Sequence, residues 1–197
     1  MRFMSRRNGI SMAHANPERR AQTRQKIIDA FWSIYATTPL KQIRVSAVAE
    51  AAGYNRSTFY HYFDSIDDLL EQAEDDVINE ITAYVQNYGQ NFRNTSSFEI
   101  TGEVYDLYAE RISILVGPEG ASAFPARLSA ALSPKVIDLI GLDPDDPAAT
   151  LMSRTLVSSA ITIITIWYRQ GKPISAERLA KLLYTGVTQG LFALREV

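Results

Sequence analysis

Hydrophobic residues recur at helical spacing along most of the chain. In the N-terminal third, four of them fall at i, i+3, i+4 and i+7 and predict an amphipathic helix over about 17–35: Ile27, Ala30, Phe31 and Ile34. Pro39 and the two threonines before it break this helix. A second apolar face predicts a short helix over about 44–51: Val45, Val48, Ala49 and Ala52.

A tight turn follows the second helix. Gly53 is a natural C′ residue, because glycine adopts left-handed backbone angles without a steric penalty. Asn55 is a favourable N-cap for a third helix over 56–62, and Phe59 and Phe63, four residues apart, are expected to point inward. Two short helices joined in this way are typical of a helix-turn-helix, whose second helix enters the DNA major groove.

The remaining two thirds of the chain predict helices only. Capping residues and helix breakers set the limits of these helices. The first covers 65–88 and is opened by Ser65 and Asp68, and the next is opened by Ser96 and Glu99 and ends near 116. One or two helices lie in 121–140, a long helix opened by Pro147 covers 147–170, and a last helix capped by Ser175 runs to about 196. The run 161–166 is β-branched enough for a strand, but its place inside a longer uncharged segment favours helix. The predicted fold class is therefore all-α.

The net charge of −2 hides a strong asymmetry. Residues 1–63 hold ten basic and three acidic residues, a net of +7, whereas residues 64–197 hold ten basic and nineteen acidic residues, a net of −9. A basic N-terminal part on an acidic body is expected of a nucleic-acid binder with a separate regulatory domain, although chance clustering gives the same totals.

Composition excludes several classes of protein. The chain has no cysteine, and its two histidines stand apart at His14 and His61, so we expect no metal, no cofactor and no enzymatic activity. The longest uncharged stretch, 155–168, has 14 residues, fewer than the roughly 20 of a membrane span. Residues 1–16 show no apolar run and predict a disordered basic tail rather than a signal peptide, with Met4 or Met12 as possible true starts. We expect a cytoplasmic protein.

Residues 20–70 resemble the N-terminal domain of the tetracycline-repressor (TetR/AcrR) family of bacterial regulators. Four runs carry the resemblance: Ile27-Ile-Asp-Ala-Phe31, Ile43-Arg-Val-Ser-Ala-Val-Ala-Glu-Ala-Ala-Gly53, Arg56-Ser-Thr-Phe-Tyr-His-Tyr-Phe63 and Asp67-Asp-Leu-Leu70. The resemblance implies an all-α homodimer with a three-helix helix-turn-helix head over 17–63. It also implies a helical ligand-binding and dimerisation body over 64–197. This body has no motif of a particular subfamily.

The resemblance also implies a set of DNA contacts at positions that match the family pattern: Arg44, Asn55, Arg56, Ser57, Tyr60, His61 and Tyr62. Arg56 is the best candidate for reading a base, because its planar fork suits the two acceptors of guanine. It could equally contact phosphate alone, and Tyr62 could pack between helices. Two departures should weaken phosphate binding: Ile66 replaces a common lysine, and Asp64 and Asp67 add negative charge nearby.

Eight acids and no base lie between Asp64 and Glu80. Those at the helix N-terminus suit the helix dipole, and the later ones suit a solvated face. A protein-docking surface is the alternative.

The last two helices are expected to form a symmetric dimer interface, with burial inside one subunit as the alternative. The candidate interface residues are Ile161, Ile164, Leu179, Leu183, Gly186, Val187, Gly190 and Leu191. Aromatic and basic side chains of the middle helices are candidates for lining a ligand cavity, although most aromatics there should be ordinary core. These candidates are Tyr84, Tyr88, Tyr105, Tyr108, Arg111, Phe124, Arg127 and Trp167.

Together these features predict a homodimeric transcriptional regulator of a double-stranded DNA operator. We expect a repressor released by an unidentified small molecule. The alternative is a regulator or activator acting through a protein partner docked on the acidic fourth helix.

Overall fold

The computed structural model describes residues 17–89, 108, 110–116 and 123–188. Within these ranges the chain is helical with connecting turns, and no strand occurs there. The helices are α1 (Pro17–Tyr35), α2 (Val45–Ala51), α3 (Arg56–Tyr60), α4 (Ile66–Gly89), α5 (110–116), α6 (Phe124–Ile140), α7 (Pro147–Arg169) and α8 (Ala176–Thr188). A 3₁₀ turn, Leu40–Gln42, lies between α1 and α2. The all-α prediction is confirmed.

Helices α1 to α3 pack around one apolar cluster. Ile27 and Phe31 of α1 are fully buried, as the predicted stripe requires, and Val48 of α2 and Phe59 of α3 meet them there. Leu69 of α4 belongs to the same cluster, so α4 continues from the three-helix unit without a break in the core. We refer to α1–α3 as the head and to α5–α8 as the body. The predicted division at residues 63 and 64 stays a prediction.

Local hydrogen bonds explain the helix ends. Gly53 has φ +77°, and the N–H groups of Gly53 and Tyr54 donate to the carbonyls of Glu50 and Ala49, the pattern expected when a left-handed glycine ends a helix. At α4, Ser65 Oγ accepts from the N–H of Asp68 at 3.0 Å. Asp68 reaches back to the N–H of Asp64 at 2.8 Å, one residue earlier than the predicted capping box requires.

The body is built on two long helices. α7 begins at Pro147 as predicted, with Asp146 Oδ1 accepting from the N–H of Ala148 at 2.9 Å. α6 runs unbroken through Pro134, which is exposed on its outer side. α6 packs on α7 and also on α4, so α4 connects the head to the body.

α7 is long and apolar enough to span a membrane by length and composition alone, with a mean hydropathy of 1.4 over its most apolar window. Only 22% of that window is buried within the chain. Core helices of soluble proteins meet the same criterion, so one such helix by itself is weak support for a membrane span.

Candidate nucleic-acid interface

The recognition helix α3 presents a polar face to solvent. Arg56, Ser57, Tyr60 and His61 are all exposed, and Tyr60 keeps 48% of its surface accessible although it is a large aromatic residue. An exposed aromatic beside a basic residue on a short helix is suited to contact with base edges and phosphates. The predicted exposure of this face is confirmed.

Two buried phenylalanines hold α3 in place. Phe59 and Phe63 are 0% and 1% exposed, and their ring centroids lie 5.6 Å apart. A helix of five residues has little stability of its own. Its orientation therefore depends on these two rings in the core of the head.

Asn55 caps α3. Its Oδ1 accepts from the N–H of Thr58 at 2.8 Å and from Thr58 Oγ1 at 3.1 Å. The side-chain oxygen of Asn55 is thus occupied by the cap. The side-chain nitrogen Nδ2 of this exposed residue remains for a DNA contact. The cap is confirmed, whereas the DNA contact stays a prediction.

Arg56 and Tyr60 lie together on the exposed face. Arg56 Nη2 lies 3.5 Å from the Tyr60 hydroxyl, and the guanidinium carbon lies 6.0 Å from the ring centroid. These contacts are loose, because the residues are exposed and one helical turn apart. Arg56 therefore keeps most of its five donors for an external acceptor.

The other predicted contacts surround α3. Arg44 is exposed at the N-cap of α2 rather than in its first turn, and it makes no side-chain cap bond. Tyr62 is half-buried, with its ring at 5.7 Å from the His61 ring and 6.4 Å from the Phe63 ring. Ile66, at the common lysine position, is half-buried against the head core. Tyr62 is thus partly packed and partly accessible, and its DNA contact stays a prediction.

The acidic helix α4 uses most of its acids inside the chain. Asp76 pairs with Arg24 of α1 at 2.7 Å, Glu74 and Asp75 both pair with Arg127 of α6, and Glu80 pairs with Arg111 at 3.5 Å. Sequence reasoning missed these pairs because the partners lie 31 to 53 residues away in the chain. The excess of acidic residues on α4 was the sequence feature that could have indicated these ion pairs.

Glu74 is the most unusual of these acids. Its side chain is 4% exposed, and within the described residues its Oε1 has no hydrogen-bond partner. Burial raises the pKa of the Glu74 carboxyl, and the Arg127 guanidinium opposes that rise.

The predicted ligand residues have structural roles where the structure describes them. Arg111 and Arg127 are engaged in the ion pairs above, Phe124 is fully buried, and Trp167 is buried with Nε1 donating to the Ile174 carbonyl at 2.8 Å. Tyr84 and Tyr108 are half-buried, and burial raises the pKa of Tyr108. The Tyr88 side chain and Tyr105 lie outside the described residues. The ligand contacts stay predictions.

Of the predicted interface residues that the structure describes, three are buried inside the subunit. Ile161, Leu179 and Leu183 are 5–8% exposed in the core, and Ile164 is half-buried. Gly186 is half-buried, and among the described residues a methyl group added there would meet no atom within 4 Å. The Val187 side chain, Gly190 and Leu191 lie outside the described residues.

A different face of α7 is open. Four large apolar residues of this helix are exposed: Leu151, Met152, Ile163 and Ile166. A shallow open groove of about 570 Å³ lies along the same face, lined by Arg154, Thr155, Ser158, Ser159, Thr162 and Ile163. Sequence analysis selected Ile161 and Ile164 of this helix and did not identify this face. Among the described residues, no cluster of three or more acids and histidines is placed to hold a metal.

Comparison with known proteins agrees with this geometry. Residues 27–73 match the model of the tetR family of bacterial regulatory proteins. No curated protein sequence is significantly similar to the chain.

Solved structures share the fold at low sequence identity. A tetR-family transcriptional regulator from Streptomyces coelicolor has a TM-score of 0.66 at 17% identity, covering 90% of this chain and 84% of its own. The dihydroxyacetone kinase operon activator DhaS has a TM-score of 0.60 at 20% identity, covering 89% and 96%. Thermus thermophilus FadR, a transcriptional repressor solved with lauroyl-CoA, has a TM-score of 0.54 at 14% identity, covering 85% and 94%.

The matched segment begins in α1, contains the whole of α2 and α3, and ends in the first turns of α4, which is the unit whose polar face is described above. The family-model match identifies residues 27–73 as a domain similar to that of the tetR family of bacterial regulatory proteins, and most of the chain shares its helical fold with a solved tetR-family transcriptional regulator.

Proposed function

We propose that the protein is a cytoplasmic, homodimeric repressor that binds a specific DNA operator through α3. One observation carries this proposal: the polar face of α3 is exposed, while Phe59 and Phe63 on its other side are buried. The exposed residues are Arg56, Ser57, Tyr60 and His61. A helix presented in this way suits the major groove, and a dimer places two such helices about 34–36 Å apart on a palindromic site.

Arg56 is proposed to read a guanine. A bidentate arginine–guanine contact contributes about 1–3 kcal/mol of discrimination, which corresponds to about 5-fold to 150-fold in affinity. The loose contact with Tyr60 leaves the guanidinium fork available for this role.

The test begins with selection of binding sites from random duplex DNA, followed by mobility-shift titration of the selected site. Arg56→Ala should lose most of the preference for that site while it retains weaker binding to random DNA. Arg178→Ala, an exposed arginine of α8, removes the same charge from the body and should leave the preference unchanged. Absence of any selected sequence at low salt would refute the proposal.

The homodimer is proposed to form on the open face of α7. Met152, Thr155, Ser159, Ile163 and Ile166 follow i, i+3, i+7, i+11 and i+14, so they line one stripe of the helix. Exposed apolar residues at this spacing favour packing against another helix, and a two-fold partner supplies the same stripe in return. The open space beside Gly186 on α8 is compatible with the approach of a second subunit there.

Ile163→Glu tests the interface by placing two carboxylates in it, one from each subunit. Sedimentation should show a shift from dimer to monomer, and operator affinity should fall because the two heads are no longer linked. Leu142→Glu makes the same change at an exposed leucine in the turn before α7 and should leave the dimer intact. A dimer that survives Ile163→Glu would place the interface elsewhere.

A small molecule bound in the body is proposed to release the operator. Helix α4 packs on α6 and continues into the head, so a ligand that favours one arrangement of the body can change the placement of the two recognition helices. The repressor FadR of Thermus thermophilus, which shares this fold, was solved with lauroyl-CoA. This supports a ligand-binding body here without identifying the ligand.

Activation through a protein partner on α4 is the alternative, and DhaS is an operon activator with the same fold. The structure favours the first proposal, since four of the acids that suggested docking pair with arginines of this chain. A reporter placed behind the selected operator decides between them. Deletion of the protein should raise expression for a repressor and lower it for an activator.

A further inference from the structure

We propose that Arg24 is a positioning residue for DNA binding, which fixes the end of the recognition helix against α4 through Asp76. This inference rests on the proposed DNA-binding function.

Arg24 lies on α1 and contacts two parts of the structure, helix α4 and the ring of Phe63. Its Nη1 donates to Asp76 Oδ2 at 2.7 Å, and its Nη2 lies 3.4 Å from Asp76 Oδ1 and 3.3 Å from Gln72 Oε1. Its guanidinium carbon also lies 5.8 Å from the centre of the Phe63 ring. Phe63 is the buried residue that anchors the C-terminal side of α3, so Arg24 connects α4 directly to that anchor.

The polar contacts continue along α4 toward the recognition helix. Gln72 Nε2 donates to the Asp68 carboxylate at 3.2 Å, and Asp68 Oδ2 accepts from the N–H of Asp64 at 2.8 Å. Asp68, Gln72 and Asp76 are spaced four apart on α4, so they form one ridge, and Asp68 bonds back to Asp64 just before the helix. Asp64 directly follows Phe63. The ridge therefore holds the backbone of Asp64 through Asp68, and Arg24 lies over the ring of the neighbouring Phe63.

This arrangement separates Arg24 from the residues that contact DNA directly. Its donors are directed to Asp76 and Gln72, and its side chain is 31% exposed. A bidentate arginine–carboxylate pair fixes direction as well as distance, which lysine cannot reproduce. Loss of the pair should let the α3 end shift relative to α4, and small shifts of this kind reduce complementarity to the groove.

Asp76→Asn gives the sharpest test, because the expected change in DNA affinity is opposite to the change that simple electrostatics predicts. Removing a negative charge from a DNA-binding protein should strengthen binding by general attraction. We expect instead that Asp76→Asn and Arg24→Gln each weaken binding to the selected operator by about tenfold, the loss of one charge-assisted hydrogen bond. The double variant should be no weaker than the weaker single variant, because both remove the same contact.

Glu71→Gln is the matched control, since it removes an exposed acid from the same helix. Its operator affinity should be unchanged or higher. Arg24→Lys retains the charge and should still lose affinity, which a simple phosphate contact would not predict. All variants are titrated as full-length protein, with thermal melting measured in parallel. If Asp76→Asn melts below the assay temperature, Arg24→Lys decides the question.

The salt dependence of binding separates positioning from direct contact. If Arg24 only positions α3, the slope of log affinity against log salt should stay at the wild-type value in Arg24→Gln. A slope smaller by about 1 would identify a phosphate contact and overturn the inference. Wild-type affinity in Asp76→Asn would overturn it too, whereas a wild-type protein without a specific site would refute the proposed function itself.

Discussion

Replacement of Arg127 by Met should destabilise the protein through a single buried carboxylate. Arg127 of α6 donates to both Glu74 and Asp75 of α4. Asp75 is 54% exposed and can be solvated, whereas the Glu74 side chain is 4% exposed and Arg127 is its only hydrogen-bond partner among the described residues. Arg127→Met retains the aliphatic stem and removes the counter-charge of Glu74.

The size of the expected loss of stability follows from how exposed the Arg127–Glu74 ion pair is. Breaking a fully buried ion pair by removing one partner costs about 3–5 kcal/mol. Arg127 is 30% exposed, so water partly replaces it, and we expect a loss of about 2–3 kcal/mol. For a chain of this length that corresponds to a fall in Tm of about 4–12 °C. The double variant Glu74→Met with Arg127→Met removes both charges and should recover to within about 1 kcal/mol of the wild type.

The deficit of Arg127→Met should shrink as the pH falls. Burial raises the pKa of Glu74 above its ordinary value of 4.5, and loss of Arg127 removes the main effect that opposes the rise. A raised pKa means that the folded state binds the proton more tightly than the unfolded state. Stability therefore increases as the pH falls from the raised pKa toward 4.5, because the buried carboxylate becomes neutral.

Urea unfolding at pH 7 and pH 5 measures these differences. Arg111→Met is the matched control, because Arg111 also pairs with α4 but its partner Glu80 lies at 3.5 Å and is 47% exposed. This control should cost less than about 1 kcal/mol. Equal losses in the two variants, or a loss from Arg127→Met that is the same at both pH values, would refute the argument that burial of Glu74 sets the cost.

Two further predictions concern single residues. Asn55→Ala removes the acceptor that caps α3 and should cost about 1 kcal/mol with weaker operator binding, measured by thermal melting and mobility shift, whereas Asn79→Ala on the exposed middle of α4 should be neutral. Gly186→Ala should stabilise α8 by about 1 kcal/mol in the isolated subunit, since a methyl group there meets no atom of the described residues within 4 Å. If a partner subunit approaches there, sedimentation should also show a weaker dimer, and an unchanged dimer would exclude close approach at this glycine.

The head could be predicted from sequence because its signals are local. The left-handed Gly53, the Asn55 cap and the inward Phe59 and Phe63 lie within about a dozen residues, and each determines the backbone or burial of its neighbours. The structure agrees at all four positions. Only the helix limits differ, with α3 ending at Tyr60 rather than 62.

The body was less predictable because periodicity shows which residues are apolar but not what covers them. Ile161, Leu179 and Leu183 were expected at the dimer interface, yet contacts within the subunit already bury them. Ile163 and Ile166, two and five residues beyond Ile161, are exposed instead. Helical spacing alone does not decide which of two apolar faces on one helix meets the neighbouring helix of the same chain.

The acidic helix shows the same limit for charge. A run of acids suggests a solvated or partner-binding face when the chain is read locally, but Arg24, Arg111 and Arg127 reach it from three separate elements. The acids nearest to α3 differ from these paired acids, because Asp64 and Asp67 are exposed beside that helix. In the proposed complex with DNA, their charge repels phosphate at any sequence and so lowers non-specific binding. Base contacts by α3 would then supply a larger share of the affinity, so we expect the preference for the operator to depend strongly on Arg56 and on the contacts that hold α3 in place.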